Sequence, residues 1–168
     1  MPARRTRNPS EPIRALLRAL DQAYDHRAWH GTNLRGSLRG LTPAQALWRP
    51  APGRHNIWEE ALHAAYWRYA VRQRLIAGKR GAFPLKGNNW FASPQSASPA
   101  GWSQAMSLLA EFHQSLRQSV VEFPPARLSR PLKGSKWSAF DIVLGSAFHD
   151  IYHAGQIQLL KRLQRRAR

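Results

Sequence analysis

A chain of 168 residues is long enough to bury one real core, and without cysteine it forms neither disulfides nor thiolate metal sites. Any metal must then be held by histidine nitrogen or carboxylate oxygen. Lysine and arginine total 26 against 9 acidic residues, a net charge of +17 that attracts anions and polyanions. Outside the two ends the basic residues are scattered, the pattern of solvated helix faces.

Residues 1–10, with Arg4-Arg5-Thr6-Arg7 and prolines at 2 and 9, read as a disordered basic lead, and residues 11–168 as a single domain. No apolar run follows the lead, so a secretory signal is not expected. No apolar run reaches the length of a membrane span. The expectation is a cytoplasmic protein with no membrane contact.

The first helix is expected from about 11 to about 39. Ser10 serves as N-cap, Glu11 and Pro12 occupy the first turn, and Ile13, Leu16, Leu17, Leu20, Tyr24, Leu34 and Leu38 recur at helical spacing. His26 and His30 are four residues apart but point away from that stripe, and read as surface histidines. Gly40 ends the helix. Thr42-Pro43-Ala44-Gln45 is a capping-box pattern that opens a short helical turn to about Trp48. Asn56-Ile57-Trp58-Glu59 is another, opening a second helix over about 57–77. Its apolar stripe runs through Trp58, Leu62, Ala65, Tyr69 and Ile76, with His63 at the margin.

Residues from about 79 to about 98 are rich in Gly, Pro, Asn and Ser, yet carry Phe83, Trp90 and Phe91. They predict a long crossover lying against the body, either an ordinary packed connection or a lid. Ser98-Pro99 opens a third helix to about 122, stopped by Pro124-Pro125. His113 lies beside its stripe and is a candidate fourth metal ligand. Ser138-Ala139-Phe140-Asp141 opens a fourth helix to about 165. Four amphipathic helices with one long crossover between the second and third predict an all-α four-helix bundle.

On the fourth helix His149 and His153 share one face, with roughly 5–6 Å between their Cβ atoms. Asp150, Gln158, Lys161 and Arg162 mark the polar side, and His149, His153 and Gln156 fall roughly opposite, toward the interior. Buried imidazoles need partners for their nitrogens. A shared divalent metal would supply them, and so would hydrogen bonds to Gln156, Tyr152 or backbone. A third ligand must come from elsewhere, and His63 is the best candidate. The glutamate of a His-Glu-x-x-His zinc protease is missing, because Asp150 stands there and faces away.

The stretch Asn56-Ile57-Trp58-Glu59-Glu60-Ala61-Leu62-His63-Ala64-Ala65-Tyr66-Trp67, together with His149-x-x-x-His153-x-x-Gln156-Ile157, resembles the DinB-like/YfiT-like superfamily. The resemblance runs from about 11 to about 164. It includes the helix order, the long connection after the second helix and the Trp137-Ser138 lead into the fourth. It implies a four-helix bundle holding a divalent metal, often nickel or zinc, on His63, His149 and His153. Three neutral histidines leave coordination positions open, as in catalytic sites. Such a metal could lower the pKa of bound water to about 7 or take up a thiol as thiolate.

The resemblance therefore implies either a hydrolase or a transferase of an external low-molecular-weight thiol, acting on a small-molecule substrate. Gln156, Tyr66 and Glu60 are the candidate catalytic residues, although the acidic pair Glu59 and Glu60 also suits the positive start of a helix. Asn88, Asn89 and Trp90 could reach over the pocket from the crossover. Relatives often pair as homodimers. The alternative is a basic, stress-associated protein contacting nucleic acid or another polyanion, with a structural histidine cluster. No helix-turn-helix or zinc finger supports it.

Overall fold

The computed structural model describes residues 9–78 and 81–167. Most of the expected basic lead, up to residue 8, and positions 79 and 80 of the crossover lie outside the described residues. Side-chain caps set where most helices begin. The Asn56 side chain accepts from Glu59 N and the Glu59 side chain accepts from Asn56 N, opening α4 over Ile57–Leu75. The same reciprocal pair, Ser138 with Asp141, opens α6 over Ala139–Arg166. Thr42 and Gln45 open the five-residue α3, Pro43–Leu47. Ser98 caps α5, Pro99–Glu122. Ser10 precedes α1, Glu11–Tyr24, but its side chain makes no capping hydrogen bond.

The first helix corrects the expectation of one continuous helix from 11 to 39. It stops at Tyr24, and a separate five-residue α2 covers Leu34–Leu38. The reason lies in Gly31 and Asn33. Gly31 takes φ +99°, a region that side chains resist. The Asn33 side chain then accepts from Gly36 N at 2.8 Å and donates to His26 O at 2.9 Å, capping a new helix.

The described residues thus form an all-α fold of six α-helices and a short 3-10 turn, Pro125–Arg127. Two of the six are short: α3, the expected turn after Thr42, and α2, split from the expected first helix. The four long ones close a ring: α1 packs on α5 and α6, and α4 packs on the same two. Ile13, Leu16, Leu20, Leu116, Val120 and Val143 fill one end of the interior, and Leu34, Ile57, Leu62, Leu109 and Ile157 the other. Burial of this kind stabilises by about 1.5–3 kcal/mol for each large apolar side chain. No helix among the described residues is long and apolar enough to cross a membrane.

On α6 the expected polar side is corrected at one position. Asp150 is buried, not solvent-facing, and pairs with Arg68 of α4 at 2.7 Å. The outward face instead carries Phe148, Tyr152, Leu159 and Leu163, all exposed. Large apolar groups on the wet side and an acid on the dry side defeat a helical-wheel reading.

Candidate metal centre

α4 and α6 carry the three histidines to a common point. His63, about two turns into α4, is 5% exposed, and His153 is 2% exposed. His149 is half-buried at the mouth. One ligand nitrogen from each ring lies within 4.8 Å of the others. The ring centroids are 5.2 Å apart for His63 and His149, and 4.9 Å for His63 and His153.

The hydrogen bonds decide which nitrogens remain free. Asn89 O can only accept, so His63 Nδ1–H donates to it, at 2.6 Å. The Glu60 carboxylate accepts from His153 Nδ1–H in a short contact. Both rings are then left with a bare Nε2, the tautomer a metal ligand needs. His149 Nε2 lies 3.0 Å from His153 Nε2. Two tetrahedral ligands at about 2.0–2.1 Å from zinc sit roughly 3.3 Å apart, close to that spacing. Burial first, then the neighbouring imidazoles, pushes His149 down to about 3. Burial also pushes His63 down to about 4, against the pull of the Asn89 carbonyl. Both rings are therefore neutral at pH 7. The donor set fits a divalent cation.

Around the triad the partners are fixed in turn. Gln156, with its amide nitrogen toward Glu60, donates to both carboxylate oxygens at 3.0 and 3.1 Å. Its oxygen accepts from the Tyr152 hydroxyl at 2.7 Å. Trp90 stacks on His63 at 3.8 Å and on His55 at 3.7 Å, so the crossover indole is sandwiched between two imidazoles. Trp67 stands edge-on to His63 and His149.

The crossover is packed down. Phe91 is buried, Phe83 and Phe91 stack near Tyr66, and the Ser93 hydroxyl accepts from Asn56 Nδ2 at 2.9 Å. Those contacts carry Asn89 and Trp90 to the triad.

The sequence-derived candidates separate here. Glu60 and Gln156 join the histidines. The Tyr66 ring lies in the aromatic cluster with Tyr69, Phe83 and Phe91. Glu59 caps α4 and binds Arg49 and His55. Burial alone would raise its pKa, but the hydrogen bonds from Arg49, His55 and Ser93 N outweigh that and hold it at about 2. His113 stands apart, stacked on Tyr24 at 4.0 Å with Nε2 3.6 Å from Asp21 Oδ1. His26 is exposed, as is His30.

Two features escaped the sequence reading. His55 as a stacking partner had one available signal, its place four residues before Glu59. The Arg68–Asp150 pair had none, since neither residue sits in a motif.

No curated protein and no solved structure matches the chain. The sequence model of the DinB superfamily does match, over residues 26–157, a span that takes in all three histidines, Glu60, Trp90 and Gln156; the chain belongs to the DinB superfamily.

Proposed function

We propose that this protein is a metal-dependent enzyme acting on a small molecule, with a divalent cation, nickel or zinc, held by His63, His149 and His153. The observation that carries the reading is the convergence of three imidazoles, each with one ligand nitrogen within 4.8 Å of the others, two of them turned by Asn89 O and Glu60 so that Nε2 faces the cluster. Three protein ligands leave room for a further group, the mark of a catalytic rather than a structural site. A bound divalent cation would supply Lewis acidity toward water, or toward a thiol brought from outside a chain that has no cysteine.

The chain's own residues position and shield. Glu60 and the Asn89 carbonyl hold two rings in the ligating tautomer. Gln156, clamped between Glu60 and Tyr152, presents a fixed polar group beside His153. Trp67 and Trp90 wall the triad and limit water around it. The Tyr152 ring lies on the exposed face at the mouth, where it can meet a polar substrate.

Metal analysis of the purified protein tests the reading. One divalent ion per chain is expected, lost when His149→Ala and His153→Ala are combined; undiminished metal content in that double variant overturns it. An assay of the metal-loaded protein on electrophilic substrates then separates the two chemistries. Turnover that requires an added low-molecular-weight thiol marks an S-transferase, and turnover in buffer alone a hydrolase.

A further inference from the structure

The excess of basic residues has a focus away from the histidines. A cleft of about 230 Å3 lies between the α2–α3 corner and the last turns of α6. Arg39, Lys161 and Arg165 line it with Gln45 and Gln164, and among the described residues no acidic side chain does. It shares no residue with the triad.

Its walls are braced. Lys161 Nζ donates to Ser37 O at 2.8 Å, tying α6 to α2. The buried Gln164 donates from Nε2 to Gln45 O at 3.2 Å, tying α6 to α3. Gly40, at φ +73°, turns the chain directly after Arg39 and fixes where that side chain starts. The ammonium of Lys161 has three N–H groups and uses one on Ser37. Among the described residues the side chains of Arg39 and Arg165 make no hydrogen bond or ion pair.

Like charges gathered without a counter-charge repel. Burial first, and then Arg165, lower the pKa of Lys161. Arg165 lies in the last turn of α6, where a cation answers the helix dipole. That explanation covers neither Lys161, a full turn earlier, nor Arg39 on another element. An anion between them would answer all three.

We infer that this cleft binds a phosphate-type dianion, free phosphate or the terminal phosphate of a small phosphomonoester, through Arg39, Lys161 and Arg165. Guanidinium forks match phosphate oxygens in pairs, and the ammonium adds a point charge. A carboxylate brings one charge and two oxygens, a poorer match for three cations than a phosphate dianion. A nucleic-acid backbone would call for a track of cations rather than one small cleft.

Calorimetric titration with inorganic phosphate at constant ionic strength tests this, using metal-loaded and chelated protein side by side. Saturable binding in both forms is expected, weakened about tenfold or more by Arg39→Gln and by Arg165→Gln, two exposed side chains whose loss spares the braces. Arg74→Gln, an equal charge loss elsewhere on the surface, should leave the affinity unchanged. Glycerol phosphate should bind like phosphate, and diethyl phosphate about tenfold more weakly. Four results would overturn the site. They are absence of saturable binding, binding that vanishes on chelation, equal weakening by Arg74→Gln, and equal affinity for the diester.

Discussion

Helices α4 and α6 meet at two buried polar contacts, which differ in what they leave open. At the first, Glu60 accepts from one nitrogen of His153 and leaves the other bare, facing His149 and His63. At the second, Arg68 and Asp150 close on each other at 2.7 Å, with side chains 0% and 1% exposed. His149 and Asp150 are neighbours in sequence, yet about 100° apart around the helix, so one reaches the mouth and the other the interior. Burial and titratable chemistry are common to both contacts. Only the first has lone pairs that converge on a shared point. His113 makes the same distinction: it is buried as deeply as His153, but its ring lies against Tyr24 and Asp21 and meets no other histidine.

The closed contact should be the costlier to break. Asp150→Ala would leave the Arg68 guanidinium buried without its carboxylate, a loss of about 3–5 kcal/mol in chemical denaturation. Arg68 Nε and Nη1 already lack partners among the described residues, and the guanidinium lies over the Tyr24 ring at 4.6 Å. Burial pushes the Asp150 carboxyl up to about 6, and Arg68 keeps it from rising further. A pair so incompletely satisfied gains little over apolar packing. Combining Arg68→Met with Asp150→Leu should therefore recover most of the lost stability. A double variant as unstable as Asp150→Ala would show that the pair does more than fill its own space.

Acid separates the two kinds of histidine next. Burial, then the positive Arg68, pushes His113 down to about 4 from an ordinary 6.5. Between those values the unfolded chain takes up a proton that the folded chain refuses. Stability is thus untouched above pH 6.5 and falls as pH drops toward 4, by up to about 3 kcal/mol for one such group. His63 and His149 act in the same direction in metal-free protein, and a bound metal would oppose their protonation. Replacing His113 by Phe should flatten this part of the stability profile and leave metal content unchanged. Lost metal in that variant would draw His113 into the site.

Much of this was legible from spacing. Polar caps at Thr42, Asn56, Ser98 and Ser138 mark helix starts because the unpaired N–H groups there need acceptors close in sequence. The break after Tyr24 was not read, because Leu34 and Leu38 happen to continue the phase of the earlier stripe across an interruption. Gly31 and Asn33 were the available signals. His63 sat at the margin of its apolar stripe, and only the crossover explains its burial: Trp90 covers one face of the ring and Asn89 O takes its proton. Contacts 26 residues apart through a loop have no periodicity to announce them. Asp150 was misplaced for a related reason, since its partner lies 82 residues away on another helix.

The finest difference between the two contacts is the part played by the carboxylate itself. Glu60 lies in the first turn of α4, where a negative charge suits the helix start whether or not a metal is present. In Glu60→Gln the side-chain oxygen can still accept from His153 Nδ1–H, so the ring keeps its place, but the charge that makes the imidazole a stronger donor is gone. Metal affinity, measured by competition with a chelator, should fall about 10–100-fold. Glu59→Gln removes a charge from the same turn, but one engaged by Arg49 and His55, so it should cost stability and spare the metal. Equal metal affinity in wild type and Glu60→Gln would reduce Glu60 to a helix-start charge. The triad would then stand with the Asn89 carbonyl alone fixing a ring.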